Sequence, residues 1–126
     1  MPAAIVIGLI AGVASNLLSN WRVARTKLDD ALDVFACHGV GGIWGSIATG
    51  LFVSKHINPT GNDGLFYGNP SLLVSQLIAV VVVGVFAFIG SHVLLRLIKI
   101  FSPLRVSQEE EEIGLDSSQH GEEAYS

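Results

Sequence analysis

Four side chains in this sequence have the types and spacing for chemistry: Asp29, Asp30, Asp33 and His38. The carboxylates stand at the entrance of an apolar stretch, residues 31–53, and the histidine stands inside it. In apolar surroundings imidazole favours its neutral form, which accepts a proton on one nitrogen and donates from the other. A histidine inside a membrane tends to face a cavity and to mark a proton or substrate path. A hydrogen bond to a neighbouring helix is the second reading of His38. A metal is the third, although no second ligand lies at metal spacing. Carboxylates at a helix start are favourable because the first N–H groups lack partners and the dipole is positive there. That reading is structural; the other is that Asp30 or Asp33 electrostatically supports a cation path. His56, His92 and His120 read as ordinary residues of a loop, a helix end and a tail.

The composition says what kind of element must hold these groups. Half of the 126 residues are hydrophobic and only 14% are charged, which excludes an ordinary soluble domain and fits a small set of membrane helices. The net charge of −4 misleads as a whole, because most of the acid lies from Glu109 onwards. Cys37 is the single cysteine, so no internal disulfide is expected, and its apolar setting reads as a small buried hydrophobe. No basic stretch precedes the first apolar residues, so no cleavable signal is evident. A span opening almost at Met1 suggests a piece of a larger chain.

The expected class is all-α: a polytopic membrane protein with three transmembrane helices, at residues 2–21, 31–53 and 72–100, and a cytoplasmic tail at 104–126. Pro2 suits a first helical turn, and Gly8 and Gly12 form a GxxxG pair that allows close helix approach. Ser15, Asn16 and Asn20 suit interhelical hydrogen bonds, and Trp21 an interfacial position. Arg22, Arg25 and Lys27 are expected in a short loop. Residues 54–71, rich in Gly, Pro and Asn, read as a turn-containing loop outside the membrane. The third span is longer than the hydrocarbon core needs, so it tilts or projects, and Pro103 stops it. Arg22, Arg25, Lys27, Arg96, Lys99 and Arg105 share one side against Lys55 on the other, which predicts an outside N-terminus and a cytoplasmic C-terminus.

On a wheel of about 100° per residue, Val34, Gly41, Gly42, Gly45, Thr49 and Phe52 fall within about 60° of His38. Val40, Ile43, Trp44, Ile47 and Leu51 fall opposite. One face is broad and apolar, while the other is narrow, small and carries the histidine. Gly41–Gly45 and Ser46–Gly50 are small-xxx-small pairs, and tight packing must offset the loss of near 1 kcal/mol per glycine relative to alanine. In the tail, Ser107 with Glu110 matches a capping box and Gly114 can close a short helix. A solvated acidic tail is the plain reading of Glu109–Glu112. Ile113, Leu115, Ala124 and Tyr125 are spaced apolar residues that a purely solvating tail would not require.

The run Asp29-Asp30-Ala31-Leu32-Asp33-Val34-Phe35-Ala36-Cys37-His38-Gly39-Val40-Gly41-Gly42-Ile43-Trp44-Gly45-Ser46-Ile47-Ala48-Thr49-Gly50 closely resembles the tenth transmembrane helix of ammonium transporters, the Amt/Mep/Rh family. The tail, with Leu104-Arg105-Val106-Ser107, Gly114-Leu115-Asp116 and His120-Gly121-Glu122-Glu123-Ala124-Tyr125, resembles that family's cytoplasmic C-terminus. The resemblance covers the whole chain but only the last third of a family subunit, spans nine to eleven of an eleven-helix fold. It implies a homotrimer in a plasma membrane, with a narrow hydrophobic pore in each subunit. Ammonium would be deprotonated at an outer vestibule, and ammonia would pass two facing histidines while the proton travels separately.

By the same resemblance, His38 matches the second histidine and Val34 a hydrophobic pore-lining position. Asp30 matches a mainly structural acid, and Asp33 is grouped with it as electrostatic support. Gly41, Gly42 and Gly45 serve helix packing. Gly114, Leu115, Asp116, His120, Gly121 and Tyr125 belong to a regulatory tail that meets a PII-type signalling protein. The first histidine, the outer aromatic site and the phenylalanine gate lie on earlier helices. One half of an inverted repeat does not enclose a pore. The expectation is therefore the C-terminal portion of an ammonium channel, inactive alone and needing the remaining helices. It is not an enzyme and has no cofactor, metal or nucleic-acid partner. The alternative is a stand-alone three-span protein that joins full-length transporters and modulates them. A small histidine-based proton conductor is a weaker third reading, because nothing else ionisable lines the face.

Overall fold

A computed structural model describes residues 2–122. Among these residues are four α-helices: α1 (Pro2–Arg25), α2 (Val40–Phe52), α3 (Pro70–Phe101) and α4 (Gln108–Ile113). A π-helical turn, Phe35–Gly39, runs directly into α2, and a single 3₁₀ turn, Leu65–Tyr67, sits in the loop before α3. A second π-helical turn, Asp116–His120, follows α4. Among the described residues there is no strand. The chain divides into two units, Met1–Gly84 and Val85–Ser126, and the division falls inside α3.

In the first unit, α1 extends one turn beyond the expected 2–21. Nothing in Arg22–Arg25 breaks the helix, and cationic Arg22 and Arg25 suit its negative C-terminal end. Both arginines therefore belong to the helix rather than to the loop. Thr26 ends it by folding back, its N–H and its hydroxyl both donating to the Arg22 carbonyl (2.9 and 2.8 Å).

The second apolar stretch departs further from expectation. Residues 31–33 form a turn, not the start of a helix, and the helical run begins at Val34. Asp33 causes the break: its φ of +51° is left-handed, a conformation that Asp adopts more readily than most L-residues. The following turn is π-helical, so the Val40 N–H bonds the Phe35 carbonyl five residues back. A wider turn holds more residues per revolution. The uniform wheel therefore describes α2 but not its registration with Val34 and His38.

Packing within this unit is sparse. α1 lies along α2, and the Trp44 indole donates to the Ile7 carbonyl (3.0 Å). That bond ties the broad apolar face of α2 to α1. At the other end of α2, Gly50 is buried against α3 so closely that an added Cβ would lie 2.8 Å from the Leu73 Cα. Only Ala36 and Ala48 are buried apolar side chains among the described residues, and α1 and α3 bury nothing fully. Large apolar side chains such as Leu9, Phe35, Val82 and Phe88 stand more than half exposed. A chain folding alone in water would have to leave that surface wet.

The loop between α2 and α3 is compact. Buried Ser54 anchors it, its carbonyl accepting from Ile57 and Asn58 N–H and its hydroxyl from His56 N–H. Asp63 accepts from the Lys55 N–H (2.8 Å), and Phe52 and Phe66 pack with ring centroids 5.0 Å apart. Gly64 must be glycine, because a Cβ there would lie 2.7 Å from the Leu51 carbonyl oxygen.

In the second unit, the tail forms the capping box expected from Ser107 and Glu110. The Ser107 hydroxyl accepts from the Glu110 N–H, and the Glu110 carboxylate accepts from the Ser107 N–H. Gly114 ends α4 at φ +99°. The tail is more than a solvated acidic run. Gln119 donates to Glu110, Ser118 donates to the Gly114 carbonyl, and Arg105 forms a two-pronged ion pair with Glu111 (2.8 Å at the shortest).

Candidate functional site

The site begins at Asp30. Its two carboxylate oxygens accept from Val34 N–H (2.8 Å) and Phe35 N–H (3.1 Å), the first free donors of the helical run. It thus caps the helix from one turn outside, where a negative charge meets the positive end of the dipole. Asp33 does something else. Its Oδ1 accepts from Arg22 Nε (3.3 Å) and Nη2 (3.0 Å), while Arg22 Nη1 donates to the Leu28 carbonyl (2.9 Å). Asp33 also accepts, through its backbone carbonyl, the Cys37 N–H (2.9 Å). One residue therefore links α1 to the turn that carries the histidine.

His38 lies in the π-helical turn and is exposed. It lines a cavity of about 530 Å³ with Val34, Phe35, Gly39, Leu18 and Trp21, whose walls are mainly apolar. Arg22, Asp29 and Asp30 stand at the polar part of that lining. Phe35 covers Gly39 so tightly that a Cβ at Gly39 would meet its ring at 2.8 Å. Cys37 is exposed, contrary to its reading as a buried hydrophobe. Its neighbour Ala36 is the buried residue of the turn.

The structure brings Val34 and His38 to one cavity, with Asp30 beside them and Asp33 bound to Arg22. Gly41, Gly42 and Gly45 have nothing within 4 Å of an added Cβ, and Gly42 lines a groove of about 310 Å³ with Ile43, Ser46 and Val83. Within the described residues α2 comes close to α3 at Gly50. Gly8 and Gly12 likewise face open space. In the tail, Gly114, Leu115, Asp116, His120 and Gly121 occupy the segment that follows α4, with Gly121 at φ +68°. Tyr125 lies outside the described residues. No group of three or more His, Cys, Asp or Glu side chains could hold a metal ion among the described residues.

Arg22 and Trp44 are contributors that sequence reasoning missed. Arg22 was legible only as a positive charge beside a span, and Trp44 only as part of an apolar face. The spacing between Arg22 and Asp33 across a chain reversal carries no period that could reveal the pair.

Helix α1 and helix α3 are each long and apolar enough to cross a membrane. Together with the all-helical fold of the described residues, these two helices are the kind of element that a polytopic membrane protein is built from. The model of the Ammonium Transporter Family matches residues 1–125, and the chain belongs to that family. It is 46% identical to the ammonium transporter of Bacillus subtilis over 98% of its length, covering 30% of that relative. It is 48% identical to ammonium transporter Amt1 of Archaeoglobus fulgidus over 97% of its length, again covering 30%. It is 44% identical to ammonium transporter 1 of Dictyostelium discoideum over 94% of its length, covering 26%. The chain thus spans less than a third of the length of the curated relatives it matches.

Proposed function

We propose that this chain supplies one wall of an ammonium-conducting pore, with His38 and Val34 facing the path and the remaining walls coming from further helices. The observation that carries this reading is the exposure of His38 and Val34 on one apolar cavity in a chain whose family is ammonium transporters. Residues 34–52 then form a third crossing: about 19 residues at 1.5 Å each reach roughly 28 Å, close to the hydrocarbon thickness. The open glycines Gly41, Gly42 and Gly45 receive the backbones of those further helices.

The basic residues at and just beyond the C-terminal ends of α1 and α3 favour the orientation with the N-terminus outside and the tail inside, in the plasma membrane. The complete assembly is a homotrimer, and the ordered tail, including Gly114, Leu115, Asp116, His120 and Gly121, docks a PII-type signalling protein. Asp30 and Asp33 act structurally, through the caps and ion pair described above. The chain by itself does not enclose a path, so it does not transport. The test is methylammonium uptake in cells that lack ammonium transporters. Cells expressing this chain should match the background. Uptake above background that disappears in His38→Ala would overturn the inactivity, and uptake that survives His38→Ala would also overturn the assignment of His38 to the path.

A further inference from the structure

The sequence offers Arg22 as one of several cations beside a span, yet the structure gives it a different task. All three of its nitrogen-bearing positions are used: Nε and Nη2 donate to the Asp33 carboxylate and Nη1 to the Leu28 carbonyl. The ion pair is partly buried, with the two side chains 17% and 32% exposed. A planar guanidinium is suited to hold two acceptors in fixed directions, which an ammonium cannot do. α1 thus reaches the Asp33 carboxylate through Arg22, in its last turn.

The group being held is not an ordinary helix residue. Asp33 sits at φ +51°, a strained setting for a residue with a Cβ, and such settings persist only where surrounding contacts over-determine them. Its carbonyl receives the Cys37 N–H, the bond immediately preceding His38. The next turn is π-helical and closes through Val40 N–H to Phe35 O. Releasing Asp33 to a right-handed conformation would extend the helix backwards and change where the wide turn falls, and with it the direction of His38.

We propose that Arg22 is a positioning residue: by clamping the left-handed Asp33 to α1, it sets the register of the π-helical turn and so aims the His38 imidazole into its cavity. This rests on the reading of His38 as a pore residue for its functional meaning, but the geometry is testable without transport. Arg22 has no hydrogen bond to His38 among the described residues; it acts through Asp33.

The experiment uses the full chain in vesicles of phosphatidylcholine and phosphatidylglycerol, treated with diethylpyrocarbonate. Modification of each of the four histidines is followed by mass spectrometry, with His56, His92 and His120 as internal references. Arg22→Ala should change the His38 rate selectively, on the order of fivefold for loss of an ion pair and the turn it holds. An unchanged His38 rate overturns the proposal. If all four rates rise together, the fold has been lost, and Arg22→Lys decides: a selective change at His38 supports the clamp and a wild-type rate overturns it. In the Asp33→Gly background the carboxylate is gone, so Arg22→Ala should have no further effect on His38. An undiminished effect there shows that Arg22 does not act through Asp33 and also overturns the proposal. A failure of His38→Ala to alter transport by the complete assembly would remove the pore assignment and leave these rates untouched.

Discussion

Gly50→Ala separates two meanings of glycine in α2. At Gly50 the new methyl group would lie 2.8 Å from the Leu73 Cα, 3.0 Å from its Cδ1 and 3.4 Å from the Gln76 Cγ. The first of these is backbone and cannot rotate away. Ordinary contact lies at 3.4–4 Å, so α2 and α3 must part locally by more than half an ångström. Such a gap forfeits a quarter to a half of each dispersion contact at the seam, and overpacking of this kind costs about 1–3 kcal/mol. The alanine also gains about 1 kcal/mol of helix propensity. Gly45→Ala has the same propensity gain with no neighbour within 4 Å, so the difference between the two variants isolates the clash. The expected outcome is that Gly50→Ala unfolds about 1–3 kcal/mol more readily than Gly45→Ala. Unfolding is measured for the full chain in mixed micelles, raising the dodecyl sulfate fraction and following near-ultraviolet circular dichroism. Equal stability of the two variants, within about 0.5 kcal/mol, would refute the close approach of α2 to Leu73.

Two further outcomes follow from the caps. Asp30→Ala removes the acceptor for the Val34 and Phe35 N–H groups and should cost about 1–2 kcal/mol, read as faster amide exchange at those two positions with little change in α3. In the tail, the Ser107 backbone N–H and hydroxyl, with Gln119, hold the Glu110 carboxyl below the usual glutamate range. Because its folded pKa is depressed, its contribution is present above the ordinary glutamate value and is lost as pH falls through the lower, folded one. The tail signals in nuclear magnetic resonance should therefore persist through the ordinary carboxylate titration and broaden only at more acid pH. Glu110→Gln should abolish that transition, and an identical acid transition in the variant would disprove the link.

Apolar run lengths, turn residues and end signals are enough to locate α1, α3 and α4, but not the start of the helical run that leads into α2. The expected spans at 2–21 and 72–100 correspond to α1 and α3, and the Ser107–Glu110 box with Gly114 marks α4 at both ends. These are local effects, in which a side chain acts on a backbone group three or four positions away. The stretch from Asp29 to His38 was less readable. Its acidic residues suggest a helix start, but their spacing leaves open which of them caps, and only coordinates show Asp30 capping while Asp33 breaks the run. The glycines were also ambiguous, since every helical glycine has the same local cost and its benefit depends on what lies opposite.

The sequence by itself determines apolar helices long enough to span a membrane, because hydropathy is a property of the chain in order, and its Asp-rich histidine motif carries the resemblance to ammonium transporters. The tertiary structure alone decides that Arg22 reaches Asp33, that Gly50 rather than Gly41, Gly42 or Gly45 meets α3, and that His38 rides on a π-helical turn. The first two depend on a chain reversal bringing together residues that no period relates. Direction and distance across such a reversal are set by packing, not by spacing.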